Sequence, residues 1–117
     1  MPYRRILESL VGTIAGARTA LLLDAQGEVV VGAGDLGERQ RLIGAYQGIA
    51  LGMVTRTAER YEVGGVRSLV WRHDGGTVVL TTLKDGYYLV VSLGPDSLPA
   101  AAVRHCEGAR AQLEREM

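Results

Sequence analysis

The six residues Gly32-Ala33-Gly34-Asp35-Leu36-Gly37 spell G-x-G-x-x-G. At that spacing a glycine loop lets the backbone approach a dinucleotide pyrophosphate at a helix N-terminus. The motif follows an apolar run and opens a helical one, as such a site requires. Three features count against it. The strand before it belongs to a hairpin, not to a parallel strand–helix–strand unit. Asp35 and Glu38 put negative charge where a pyrophosphate would sit. At 117 residues the chain is also short for a two-half nucleotide domain. A glycine-rich turn into a helix, with Asp35 as its N-cap, is the better reading, and no cofactor is expected.

The other reactive side chains do not assemble. His73 and His105 are the only histidines, and neither stands at metal-ligand spacing from Cys106 or a carboxylate pair. His105 and Cys106 are neighbours, so on a helix they diverge by about 100° and do not share one ion. Cys106 falls on the apolar stripe of its helix, the place of an inert core thiol. Ser9, Ser68, Ser92 and Ser97 lie in no G-x-S-x-G elbow. Nothing local joins Glu59, Glu62 and Asp74, which read as solvated surface. No catalytic constellation is present, no metal site is expected, and the chain does not read as an enzyme.

The totals narrow the partners. Thirteen basic and thirteen acidic residues give no net charge, so neither a nucleic-acid surface nor an anionic membrane is indicated. One cysteine excludes an internal disulfide and fits a reducing compartment. Arg4-Arg5 near the start hints at a targeting signal, but Glu8, Ser9, Gly12 and Thr13 interrupt the apolar run that must follow. No window approaches the roughly 18 apolar residues of a membrane span. The chain reads as one cytoplasmic domain over residues 1–117, large enough to bury a core without staples.

The elements are organised around Glu38–Arg60, the longest helical pattern. Leu42, Ile43, Tyr46, Ile49, Ala50, Met53, Val54 and Thr57 lay one apolar stripe along it. Gly44, Gly48 and Gly52 recur every fourth residue on another side. Each glycine costs about 1 kcal/mol against alanine in a helix interior, so three in register imply that another backbone comes very close. The apolar stripe is expected to roof the core, and the glycine flank to meet a second helix. Before this helix, Tyr3, Ile6, Leu7, Leu10, Val11 and Ile14 mark a helix from Pro2 to about Ala15. Ala17–Leu23 and Glu28–Val31 then read as strands joined through Asp24-Ala25-Gln26-Gly27. After it come Val66–His73, Thr77–Leu83 and Tyr87–Leu93, with turns at Asp74-Gly75-Gly76 and Asp85-Gly86. A last helix, capped by Asp96 or Ser97, runs to about Arg115.

The order α-β-β-α-β-β-β-α predicts an α+β fold: a single five-stranded antiparallel sheet with helices on both faces. Trp71, on the first strand after the long helix, is either core or part of an edge that a second copy pairs with. Length adds an argument. Twenty-three helical residues reach about 35 Å, whereas a seven-residue strand spans about 23 Å. The helix overhangs its own sheet unless a larger, shared sheet supports it.

Element order and residues together resemble the roadblock family of dynein light chains and their prokaryotic relatives, which share a profilin-like architecture. The matching stretches are the first amphipathic helix, Ala20-Leu21-Leu22-Leu23-Asp24-Ala25-Gln26-Gly27-Glu28-Val29-Val30, the Leu42–Thr57 helix, and Leu83-Lys84-Asp85-Gly86-Tyr87-Tyr88-Leu89-Val90-Val91. The resemblance covers nearly the whole chain. It implies a non-enzymatic homodimer that regulates or scaffolds a small Ras-like GTPase, similar to the gliding-motility GTPase regulator. The two sheets would join through the strand after the long helix, with the long helices side by side on one face. Carried onto this chain, the interface candidates are Gly44, Gly48, Leu51, Gly52 and Thr55 on the helix, with Val66, Arg67, Ser68, Leu69, Val70 and Trp71 on the strand. No small-molecule substrate is implied.

Two other readings share the plan. One is a structural adaptor without a GTPase. The other is a small-ligand sensor of profilin-like or PAS-like kind, which needs a polar pocket beneath the long helix. The apolar stripe offers only Tyr46 and Thr57 as polar groups there.

Overall fold

The computed structural model describes residues 2–117. Helix α1 (Pro2–Thr13) leads into strands β1 (Ala17–Leu23) and β2 (Val29–Gly34), then helix α2 (Glu38–Arg60). Strands β3 (Ser68–His73), β4 (Gly76–Thr82) and β5 (Tyr88–Leu93) follow, and helix α3 (Pro99–Glu116) ends the chain. The sheet runs β2-β1-β5-β4-β3, with every neighbouring pair antiparallel. The α+β order expected from sequence is the order observed, and the edges are β2 and β3.

The turns follow from local chemistry. Asp24 Oδ1 accepts hydrogen bonds from the backbone N–H groups of Gln26 and Glu28, at 2.9 and 3.0 Å, while Gly27 takes φ +84°. Asp85 (φ 60°) and Gly86 (φ 79°) both sit in the left-handed region. That is the backbone a two-residue turn needs to match strand twist.

Several boundaries differ from the sequence reading. Strand β2 begins at Val29 and continues through Gly32-Ala33-Gly34, so the first half of the glycine motif is sheet, and only Asp35-Leu36-Gly37 form the loop into α2. A side chain at Gly32 would come within 2.6 Å of Leu36 Cδ2 and 2.9 Å of Leu21 Cδ2, and Gly34 (φ +82°) lies against the Arg18 carbonyl. These glycines serve close packing at an edge. The N-cap of α2 is Gly37 and not Asp35, whose Oδ1 accepts from the Gly37 N–H at 3.0 Å. Helix α3 is capped by Leu98 without a side-chain hydrogen bond, in place of Asp96 or Ser97.

The two faces of the sheet are covered unequally. On one, α1 contributes Leu7 and Leu10, Ile14 follows just beyond its end, and α3 contributes Ala102, Cys106, Ala109 and Leu113. They close over Ala20, Leu22, Val79, Leu89, Val91 and Leu93. On the other face α2 lies alone over Leu21, Leu23, Val78, Leu80, Tyr88 and Val90, joined by Leu51 and Leu69.

The orientation of α2 reverses the expectation. Its buried residues are Gly44, Gln47 and Ala58. A Cβ on Gly44 would stand 2.6 Å from Leu21 Cδ1, and one on Gly48 2.7 Å from the Tyr88 hydroxyl. The close approach that the glycines permit is therefore to the chain's own sheet, not to a second helix. The sheet supplies the bulk, so the helix must supply the hollows. Gly52 has only Arg56 Nη1 near it, at 3.3 Å. The apolar stripe faces outward: Leu42, Tyr46, Ile49 and Met53 are 49, 64, 63 and 59 % exposed.

Helix α2 ends in a Schellman motif. The Glu62 N–H bonds the Glu59 carbonyl at 3.2 Å and the Val63 N–H bonds the Ala58 carbonyl at 3.1 Å. Glu62 occupies the position that glycine usually takes, at φ 56°. Replacing Glu62 by glycine is expected to stabilise the fold by about 1 kcal/mol in chemical denaturation by removing left-handed strain; unchanged or lowered stability would contradict this. Gly48→Leu is expected to destabilise by about 1–3 kcal/mol through overpacking on Tyr88. Gly52→Ala, with room available, should instead stabilise by a few tenths to about 1 kcal/mol. Equal effects at the two glycines would refute the assigned orientation of α2.

Candidate interface

Strand β3 forms one free edge. Its pairing with β4 sets Leu69 opposite Leu80 and Trp71 opposite Val78. Before the strand proper, Thr82 holds the chain: its backbone N–H donates to the Arg67 carbonyl at 3.0 Å and its hydroxyl to the Val66 carbonyl at 2.7 Å. Side chains alternate along β3. Leu69 packs into the α2-side core, while the Ser68 hydroxyl points to the other face and meets Glu107 Oε1 at 3.4 Å. Val70 and Arg67 are exposed.

Trp71 fits neither simple alternative. It is 41 % exposed, so it is not core, yet it is fixed. Its indole N–H donates to Gln47 Oε1 at 2.8 Å, and Gln47 Nε2 donates to the Ile43 carbonyl at 3.2 Å. Gln47 is itself buried, and this charge-free pair ties the edge strand to α2. The sequence stripe left Gln47 out because it is polar. A buried glutamine opposite the lone tryptophan is a signal that only pairing across elements reveals.

The helix candidates divide in two. Gly44 and Gly48 are covered by Leu21 and Tyr88 of the same chain, and Leu51 packs on the sheet. Gly52 and Thr55 lie half-buried along the flank. The outward surface is instead Leu42, Tyr46, Ile49 and Met53, the residues expected to roof the core. Val54 (38 % exposed) continues it, on the flank that also carries Ile43, whose carbonyl anchors Gln47 and through it Trp71.

The reactive groups stay apart. His73 ends β3 on the α2 side, whereas His105 is on α3 across the sheet. Glu59 and Glu62 lie at the C-terminal end of α2, while Asp74 follows the far end of β3, a strand of about 20 Å. Cys106 is fully buried, and burial pushes its thiol up to about 11, with the Thr81 hydroxyl offsetting part of the shift. It is a core residue. Burial also raises the Tyr88 hydroxyl, and the Asp24 charge adds to the effect. Among the described residues no three His, Cys, Asp or Glu side chains converge on a metal-sized site, and no helix is long and apolar enough to cross a membrane.

One feature escaped the sequence entirely. The space beneath the N-terminal half of α2 is not filled. A cleft of about 490 Å³ opens there, bordered by Arg18, Arg39, Gln40, Trp71, His73 and Ser92. The two polar groups expected in that space do not line it. Tyr46 and Thr57 are both exposed, and the Thr57 hydroxyl bonds back to the Met53 carbonyl at 2.9 Å.

Comparison with known proteins agrees with this architecture. No curated protein matches the chain in sequence. Among solved structures, a Roadblock/LC7 domain from Streptomyces avermitilis superposes with a TM-score of 0.88 at 18% identity, over 97% of this chain and 95% of that one. The gliding protein MglB from Thermus thermophilus gives 0.85 at 17% identity, over 97% and 87%. Profilin IB from Acanthamoeba castellanii gives 0.66 at 16% identity, over 97% and 98%. At such identities the likeness is one of fold. The Roadblock/LC7 domain family model matches residues 5–93, a span from α1 through the last strand. The chain belongs to the Roadblock/LC7 domain family.

Proposed function

We propose that the chain is a non-enzymatic homodimeric regulator or scaffold for a small Ras-like GTPase. The observation that carries this reading is the exposed apolar stripe of α2 on a helix tied, through Gln47 and Trp71, to an unpaired sheet edge. Four large apolar side chains, each about half exposed or more along one helix, exceed what an isolated surface helix ordinarily shows. Covering each is worth on the order of 1 kcal/mol. A free edge of β3 offers backbone hydrogen bonds to a second strand. A second copy satisfies both needs at once: β3 pairs with its twin into a shared sheet, and the stripes of the two α2 helices meet above it. Such a sheet also supports the roughly 35 Å length of α2. Family membership supports a regulatory or adaptor role, and a likeness of fold to the gliding protein MglB favours a GTPase as the partner.

The test is a double variant, Tyr46→Glu with Ile49→Glu, chosen because both side chains are exposed and the monomer fold does not depend on them. Light scattering at micromolar concentration should give twice the 12.5 kDa chain mass for the unaltered protein and the single mass for the variant, with unchanged circular dichroism. Capture of a Ras-like GTPase encoded beside the gene should accompany the dimer. An unaltered protein that is strictly monomeric removes the dimer from the account. Absence of GTPase capture by an intact dimer removes the regulatory role and leaves a structural adaptor.

A further inference from the structure

The cleft beneath α2 brings together cationic and donor groups that lie far apart in sequence. Arg18 comes from the start of β1, Arg39 from the first turn of α2, and His73 from the end of β3. No carboxylate is among the lining residues; Glu38 and Asp74, adjacent in sequence to two of them, lie outside it. Two arginines without a carboxylate leave their fork-shaped donors free for an anion. The Arg18 guanidinium is steadied by one long contact, Nη1 to the Gly75 carbonyl at 3.4 Å, and keeps its remaining N–H groups.

His73 is also prepared. The Gly75 backbone N–H donates to His73 Nδ1 at 3.2 Å. A ring nitrogen that accepts carries no proton, so the neutral ring holds its proton on Nε2, as a donor. The Trp71 and His73 rings stand 5.1 Å apart at 45°. With the indole N–H committed to Gln47, Trp71 offers a flat aromatic surface. Ile43 and Val78 complete an apolar floor.

We propose that this cleft binds a small anionic ligand: a phosphate or carboxylate group carried on a flat, unsaturated body. The anion meets Arg18, Arg39 and the His73 Nε2–H. The flat body lies over Trp71 and the apolar floor. A volume of about 490 Å³ is within the range of small-molecule sites. The cleft shares Trp71 and His73 with the β3 edge argued above, so ligand binding and dimerisation are read on the same samples.

Trp71 is the only tryptophan, so its emission reports occupancy of the cleft. The probes are adenosine monophosphate and benzoate, which carry anion and flat body together, with adenosine and inorganic phosphate as the separate halves. Titration of the whole protein, followed by Trp71 fluorescence and calorimetry, should show saturable binding of adenosine monophosphate or benzoate. Each half alone should bind at least about tenfold more weakly, the loss expected for one charge-assisted contact. Arg18→Ala and Arg39→Ala should each weaken the tighter probe by about tenfold, while Arg39→Lys restores part of the loss. No binding of either combined probe at millimolar concentration overturns the proposal. So does binding that both alanine variants leave unchanged. Scattering mass measured on the same samples separates loss of ligand binding from loss of the dimer.

Discussion

The structure depends on how closely α2 can lie on the sheet. Leu21 and Tyr88 rise from adjacent strands beneath the helix, and a Cβ on Gly44 or Gly48 would stand 2.6 or 2.7 Å from them. Glycine at those two positions is what lets the helix settle, at a cost in helix propensity of about 1 kcal/mol each. The helix can turn only one side to the sheet, and this fit decides which. Once Gly44, Gln47 and Ala58 face inward, the stripe of Leu42, Tyr46, Ile49 and Met53 has no place in the subunit's own core.

The same constraint makes the two layers unlike. On the α1–α3 side, leucines from two helices interlock with the sheet, and the thiol of Cys106 is sealed among them. On the α2 side one helix covers a five-stranded sheet, the core cluster is smaller, and the region under the first turns of the helix remains open. Packing of two helices closes the first face over the sheet. The second face keeps an apolar ridge, a free strand edge and a cationic cleft, so interaction surfaces collect where packing is incomplete.

Sequence patterning captured the element order because strand runs such as Ala17–Leu23 and turns such as Asp85-Gly86 are encoded locally. It also found α2 to the residue, Glu38–Arg60. It failed on which side of that helix faces in. Amphipathic periodicity identifies an apolar stripe but not what covers it, and an intersubunit face has the same period as a core face. The glycine spacing signals a close approach at Gly44 and Gly48, whose counterparts, Leu21 and Tyr88, sit on other elements, but not at Gly52, which has room. The glycine run at 32–37 misleads in part for a related reason: Gly32–Gly34 looks like a loop locally and becomes strand only through pairing with β1, while 35–37 is the connection into α2. The cleft was invisible because Arg18, Arg39 and His73 converge only when three separate elements are assembled.

The family model places this chain among roadblock domains; the exposed ridge and the open edge are the surfaces that the proposed second copy would cover. Ladder alternation from the Thr82–Arg67 bond leaves the backbone N–H groups of Ser68, Val70 and Arg72 on the free edge of β3. Residue-resolved amide hydrogen exchange on those three positions tests the account most directly. Pairing of two copies predicts that all three exchange slowly at high protein concentration, comparably with β4, and lose that protection together on dilution. Fast exchange at every concentration, with β4 protected throughout, would show that the edge stays open and contradict the account.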